Sequence, residues 1–191
     1  MVLVLASASP RRAELIRRLD PEGTVLALRI RPADIDETPR DGEPSPAYVA
    51  RMARTKATAV TEGDALVLGA DTVVVLDGAI LAKPADAMEN AGMIERLAGR
   101  THQVTTAVAL ARGGELLEEL AVTTDVRFRA LGDDDARRYA ATGEGLDKAG
   151  GYGIQGLGAA LVLAIDGSYT NVVGLPLAET LALLRRWDVL S

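Results

Sequence analysis

The chain predicts an α/β fold built on a mixed β-sheet, and three observations carry this. Apolar, β-branched runs alternate along the chain with segments of helical period. Two junctions, Asp77-Gly78 and Gly113-Gly114, have the composition of hairpin turns. The hydrophobic fraction is 48% but aromatics supply only 3%, so the core is aliphatic. Helices between strands call for parallel pairing, while the hairpins make part of the sheet antiparallel, which excludes a pure doubly wound sheet.

Taken in order, residues 2–7 form a buried strand that feeds a helix over 10–19, with Ser9 as N-cap and Pro10 at the first helical position. A second strand covers 26–31. Ser45 starts a helix whose apolar positions Tyr48, Val49, Met52, Ala53 and Ala57 recur at three and four residues. The run 65–76 is a long apolar, β-branched strand whose apolar pattern Asp71 interrupts, and the Asp77-Gly78 turn leads into a short strand over 79–82. Asp86 caps a helix through Leu97. Strands over 101–111 and 116–129 form the second hairpin, and Asp133 starts a short helix to about Ala141. A glycine-rich loop, a strand over 160–165 and a helix over 177–187 complete the chain, with no internal repeats.

With 191 residues the chain makes one domain, 1–191, or two lobes sharing a core. The absence of cysteine removes disulfides, thiolate metal sites and a cysteine nucleophile, and fits a reducing, cytoplasmic setting. The N-terminal residues lack a basic n-region, so no signal peptide is expected, and no apolar stretch is long enough to span a bilayer. The net charge of -6 argues against nucleic acid as a partner, but leaves room for a small anion held with a divalent cation.

Several residues break the structural pattern. Arg11 and Arg12 occupy the first turn of a helix, where the dipole favours acidic side chains. An anion resolves that conflict, since free backbone N–H groups, the Ser7 and Ser9 hydroxyls and a forked guanidinium together suit a phosphate. Solvated surface arginines are the alternative. The segment DIDET, residues 34–38, places three carboxylates in one loop, as a metal or acid/base site or simply as a solvated loop. Asp71 is a carboxylate inside an apolar strand, where it needs a cation or a partner, unless 69–72 is a turn in which Asp71 bonds its own backbone. Lys56 and Lys83 are candidate phosphate contacts or plain surface lysines. The only histidine, His102, reads as structural or surface. Gly151 to Gly156 spells G-x-G-x-x-G, but a loop precedes it and a strand follows, so it is not a dinucleotide fingerprint. It reads as a loop of close backbone approach.

The ordered segments LASASPRR, DIDET, ARTKA, LGADTVV, LAKP, LAGRTHQVTTAVAL, LDKAGGYGIQG and GSYTNVVGLPL resemble the Maf family of nucleoside triphosphate pyrophosphatases. The resemblance runs from Leu3 to about Leu184. It implies an elongated mixed sheet with flanking helices, two lobes around a cleft, as in the inosine triphosphatase group. It also implies cleavage of a nucleoside triphosphate between the α and β phosphates with Mg²⁺ or Mn²⁺, and a homodimer. On the matching positions it makes Asp71 the proton acceptor, Glu37 and Asp71 the metal ligands, and Lys56 and Lys83 the catalytic phosphate contacts. Ser9, Arg11 and Arg12 fall on the phosphate or base side. Arg12, Thr72 and Gln155 resemble the branch acting on dTTP and UTP, in contrast to a branch preferring 7-methyl-GTP. Family members are also linked to septum formation, which leaves a nucleotide-binding regulator without turnover as the non-enzyme alternative. Gly145 and Gly151 stand where the family pattern has Pro and Ala, which would loosen the loop carrying Gln155.

Overall fold

The protein is described here by a computed structural model covering residues 1–132 and 134–190. A mixed seven-stranded sheet has the order β2-β1-β3-β5-β6-β7, with β4 paired to β3. Its strands are β1 (Val2–Leu5), β2 (Ala27–Ile30), β3 (Leu66–Leu76), β4 (Ala79–Leu81), β5 (Thr101–Arg112), β6 (Glu115–Phe128) and β7 (Val162–Asp166). Six helices flank them in sequence: α1 (Pro10–Arg17), α2 (Ser45–Ala59), α3 (Ala87–Leu97), α4 (Asp135–Ala140), α5 (Tyr169–Val173) and α6 (Leu177–Arg186). β1 pairs in parallel with both β2 and β3, as helical crossovers require, whereas β3–β4, joined by the Asp77-Gly78 turn, and β6–β7 are antiparallel.

The chain divides into two compact units, the first made of 1–71, 106–122 and 174–191, the second of 72–105 and 123–173. In the first, Leu3, Leu5, Leu15, Ile16, Met52, Leu66 and Leu68 are fully buried. In the second, Ile94 and Leu97 of α3 are buried, as are Phe128 of β6 and Tyr139 of α4. Phe128, His102 and Tyr152 stack edge to face there, with ring centroids 4.8–5.4 Å apart.

Local chemistry explains the boundaries. Asp77 and Gly78 both take positive φ, 51° and 79°, as a two-residue hairpin turn demands. Asp86 Oδ1 accepts from the Glu89 N–H at 2.8 Å and Glu89 Oε2 accepts from the Ala85 N–H at 2.7 Å, fixing the start of α3 from both sides. The expected strand runs continuously through Asp71, as a carboxylate set into an apolar strand, so the alternative of a turn at 69–72 does not hold. Helix α4 starts at Asp135; the expected start, Asp133, lies outside the described residues. Helix α5 has no counterpart in the sequence reading, because YTNVV is a short β-branched run that reads as strand. Ser168 starts it instead, its Oγ accepting from the Asn171 N–H at 3.2 Å.

Candidate active site

The first unit holds six of the expected residues: Ser9, Arg11, Arg12, Glu37, Lys56 and Asp71. The parallel strands create the setting. Leu5 of β1 is in register with Leu68 of β3, so Asp71 lies three residues beyond the point where β1 ends. Side chains and loops at the carboxyl ends of parallel strands are where α/β sheets bind ligands. The chain leaving β1 there enters α1, whose N-cap is Ser9.

At that helix start, Ser9 Oγ accepts from the Arg12 N–H at 3.4 Å. Ser7 Oγ accepts from the Ser9 N–H at 3.2 Å and from Arg12 Nη1 at 3.1 Å. Arg12 Nε donates to the Gly174 carbonyl at 2.8 Å, so two contacts orient the guanidinium. The first turn of α1 contains no acidic residue. Burial draws the Arg12 guanidinium below its ordinary range; Asp71 and Glu37 oppose this and Arg11 reinforces it.

Lys56 holds the carboxylates. It projects from α2, and its ammonium lies 2.7 Å from Asp71 Oδ1 and 2.9 Å from Glu37 Oε1. Lys56 is 7% exposed and Asp71 9%, whereas the Glu37 side chain is 51% exposed. The anionic pair is therefore rooted in the interior and open on the Glu37 side. Gly69 makes the approach of helix to strand short enough. Gly69 and Asp71 share one face of β3, and a Cβ at Gly69 would lie 2.3 Å from the Ala53 carbonyl and 2.5 Å from the Ala57 nitrogen.

The DIDET loop is tied down by contacts invisible in its own sequence. Asp36 Oδ1 accepts from the Thr38 N–H at 2.9 Å in an Asx-turn, and the Thr38 side chain, then this N–H, hold the Asp36 carboxyl below its ordinary value. Tyr48 of α2 donates its hydroxyl to the Glu37 carbonyl at 2.9 Å. Burial, then Asp71 and Glu37, push the Tyr48 phenol up to about 12. Arg51 clamps Glu43 through Nε at 2.7 Å and Nη2 at 2.5 Å, and reaches the Thr38 carbonyl at 3.2 Å. The helical spacing of Tyr48 marks an apolar core position, and its ring is buried; its hydroxyl and Arg51 are site groups that spacing does not reveal.

The remaining expected residues belong to the second unit. Lys83 is exposed just after β4, Thr72 follows Asp71 in β3 with its side chain on the opposite face, and Gln155 is exposed in the glycine-rich loop. His102 is 2% exposed, with Nε2 2.8 Å from the Tyr152 hydroxyl, as a structural histidine should be. The expected loosening of the loop by Gly145 and Gly151 is not what the structure has. A Cβ at Gly145 would lie 2.0 Å from the Gly151 carbonyl oxygen, and one at Gly151 would lie 2.3 Å from Asn90 Nδ2. The two glycines let the loop close onto Asn90, which donates to the Gly151 carbonyl at 2.7 Å.

No three His, Cys, Asp or Glu side chains form a ready-made metal cage among the described residues. The donors present still suit a hard cation, because Mg²⁺ is commonly held by one or two carboxylates, with water and substrate phosphate completing its shell. Glu37 and Asp71 supply two such carboxylates around one ammonium.

Fold and site together define an α/β protein with a basic helix start beside a Lys-bridged pair of carboxylates. The chain belongs to the Maf-like protein family, which it matches over residues 2–187. It is 55% identical over 187 residues to a protein of Myxococcus xanthus (strain DK1622) named dTTP/UTP pyrophosphatase, spanning 97% of this chain and 92% of that one. A protein of the same name from Escherichia coli O157:H7 is 51% identical over 191 residues, spanning 98% and 94%. Among solved structures, the chain is similar to the Ham1 protein of Staphylococcus aureus, at 14% identity and a TM-score of 0.47 over 67% of this chain and 72% of that one.

Proposed function

We propose that the chain is a pyrophosphatase that hydrolyses dTTP and UTP to the nucleoside monophosphate and pyrophosphate. The names of its half-identical relatives support the substrates. The observation that carries the chemistry is the buried Lys56 ammonium shared by Asp71 and Glu37, beside a helix start that bears Arg11 and Arg12.

The roles follow from the groups. The N–H groups of α1, Ser9 and the two arginines receive the phosphate chain, so the charge that opposes the helix dipole in the free protein is matched on binding. Lys56 and Lys83 add positive charge against the phosphates. Asp71 orients a water toward the α phosphorus and accepts its proton. The water oxygen forms the new P–O bond, the anhydride bond to the bridging oxygen breaks, and pyrophosphate leaves with that oxygen. Glu37 and Asp71 are the residues that would hold Mg²⁺ or Mn²⁺, which supplies charge neutralisation at the phosphates. Thr72 and Gln155 lie on the base side, where a Gln amide matches the adjacent O4 acceptor and N3–H donor of uracil or thymine. A homodimer and a cytoplasmic location belong to the same reading. No helix among the described residues is long and apolar enough to cross a membrane.

Product analysis in ¹⁸O-water tests the reaction. With UTP, the label is expected in UMP, with pyrophosphate unlabelled. Release of UDP and phosphate would place the attack at the wrong phosphorus, and tight nucleotide binding with no product would replace the enzyme with a nucleotide-binding regulator.

A further inference from the structure

We infer that Glu144 is a positioning residue for substrate selection: its carboxylate is the mould around which the Gln155 loop is folded. The inference rests on the proposed role of Gln155 in reading the base.

Glu144 Oε1 accepts from the Gly158 N–H at 2.9 Å and from the Tyr139 hydroxyl at 2.9 Å, while Oε2 accepts from the Leu157 N–H at 2.7 Å. Tyr139 Oη in turn accepts from the Gly153 N–H at 3.1 Å, so one carboxylate and one phenol gather the backbone on both sides of Gln155. Lys148 closes the near side by donating to the Glu144 carbonyl. The glycines are cut to fit this arrangement. A Cβ at Gly156 would lie 2.2 Å from Glu144 Oε2, one at Gly153 would lie 3.2 Å from Oε1, and one at Gly158 would lie 3.0 Å from the Tyr139 hydroxyl. Within the G-x-G-x-x-G spelling, Gly156 is therefore set by the Glu144 carboxylate, Gly153 by Lys148 and the same carboxylate, and Gly151 by Asn90.

Gln155 sits outside this mould, exposed, between the buried Ile154 and the exposed Gly156. Burial pushes the Glu144 carboxyl up, but the Gly158 and Leu157 N–H groups and the Tyr139 hydroxyl outweigh it and hold it below its ordinary value. A flexible amide discriminates only when its backbone is fixed, since an unfixed one adapts to a different base edge.

Glu144→Gln keeps the size but turns one acceptor into a donor that faces a backbone or phenol O–H or N–H group. The test compares kcat/KM for UTP and GTP in the native chain, Glu144→Gln, Gln155→Ala and the double variant, with melting temperature in parallel. Glu144→Gln is expected to lower the UTP-to-GTP ratio about tenfold, through KM for UTP with kcat within about twofold. The double variant should fall no further than Gln155→Ala alone. If Gln155→Ala changes the ratio and Glu144→Gln does not, the inference is overturned. If Gln155→Ala itself leaves the ratio unchanged, the base-reading role fails first. Should Glu144→Gln not fold, Tyr139→Phe removes one hydrogen bond from the same mould; a ratio lowered about threefold supports the inference, and an unchanged ratio overturns it.

Discussion

Lys56 is the residue on which the charge balance of the site turns, because it is buried and meets two carboxylates. Lys56→Met keeps the stem and removes the charge, leaving Asp71 as a buried anion without its cation. Breaking a buried pair from one side costs about 3 kcal/mol, whereas removing both charges is far milder. Urea denaturation should therefore show Lys56→Met destabilised by about that amount, with much of the loss recovered in Lys56→Met/Asp71→Asn. Activity should be lost in both. A Lys56→Met protein as stable as the native one would mean that the pair is solvated and that the interior setting of Asp71 is wrong. Asp71 was legible in the sequence because a carboxylate amid β-branched residues stands out. Tyr48 was not, because its spacing along the helix records only the burial of its ring and says nothing of where its hydroxyl points.

At the scale of elements, the site depends on how closely α2 lies on β3. Ala53, Ala57 and Gly69 are small where the two meet, and Gly69 has no room for a methyl group. Gly69→Ala must move backbone against backbone, so it should cost about 3 kcal/mol, the upper end for overpacking, and lower activity by drawing Lys56 away from Asp71. Chemical denaturation and UTP turnover on the same sample check both effects, and a stable, fully active variant would contradict the account. The elements with strong start signals were legible: Ser9-Pro10 for helix α1, Asp86 for helix α3 and the Asp77-Gly78 turn for strand β4. Helix α5 was not, since its β-branched residues favour strand and the contacts that hold it, the Ser168 cap and Asn171 donating to the Val104 carbonyl and Thr124 Oγ1 at 2.9 Å each, are tertiary or lie outside the run.

For the whole molecule, the lone histidine gives a clean reporter of folding against pH. Burial holds the His102 imidazole down to about 4, with Asp125 opposing the shift. Its ordinary value is about 6.5. Between these values the unfolded chain binds a proton that the folded chain refuses, so the contribution of His102 makes stability rise from pH 4 to 6.5 and level off above. In NMR the imidazole should titrate near pH 4 in the folded protein, and the melting temperature of His102→Gln should lose the corresponding slope. Titration near 6.5 would show that the ring is solvated. The mixed sheet was legible at this scale from alternating patterns and two hairpins. Two lobes were among the expectations, but the boundaries of the two units were not legible, because β3, β5 and β6 each cross from one unit to the other within a continuous strand.

The central claim is that Asp71 activates water for cleavage of pyrimidine nucleoside triphosphates. Its most direct test is pyrophosphate release from dTTP, UTP, CTP, GTP and 7-methyl-GTP with Mg²⁺ or Mn²⁺, for the native chain beside Asp71→Asn. Turnover concentrated on dTTP and UTP, and falling by about a hundredfold or more in Asp71→Asn, is the predicted result. Native turnover that prefers 7-methyl-GTP, or an Asp71→Asn variant as active as the native chain, would contradict the account.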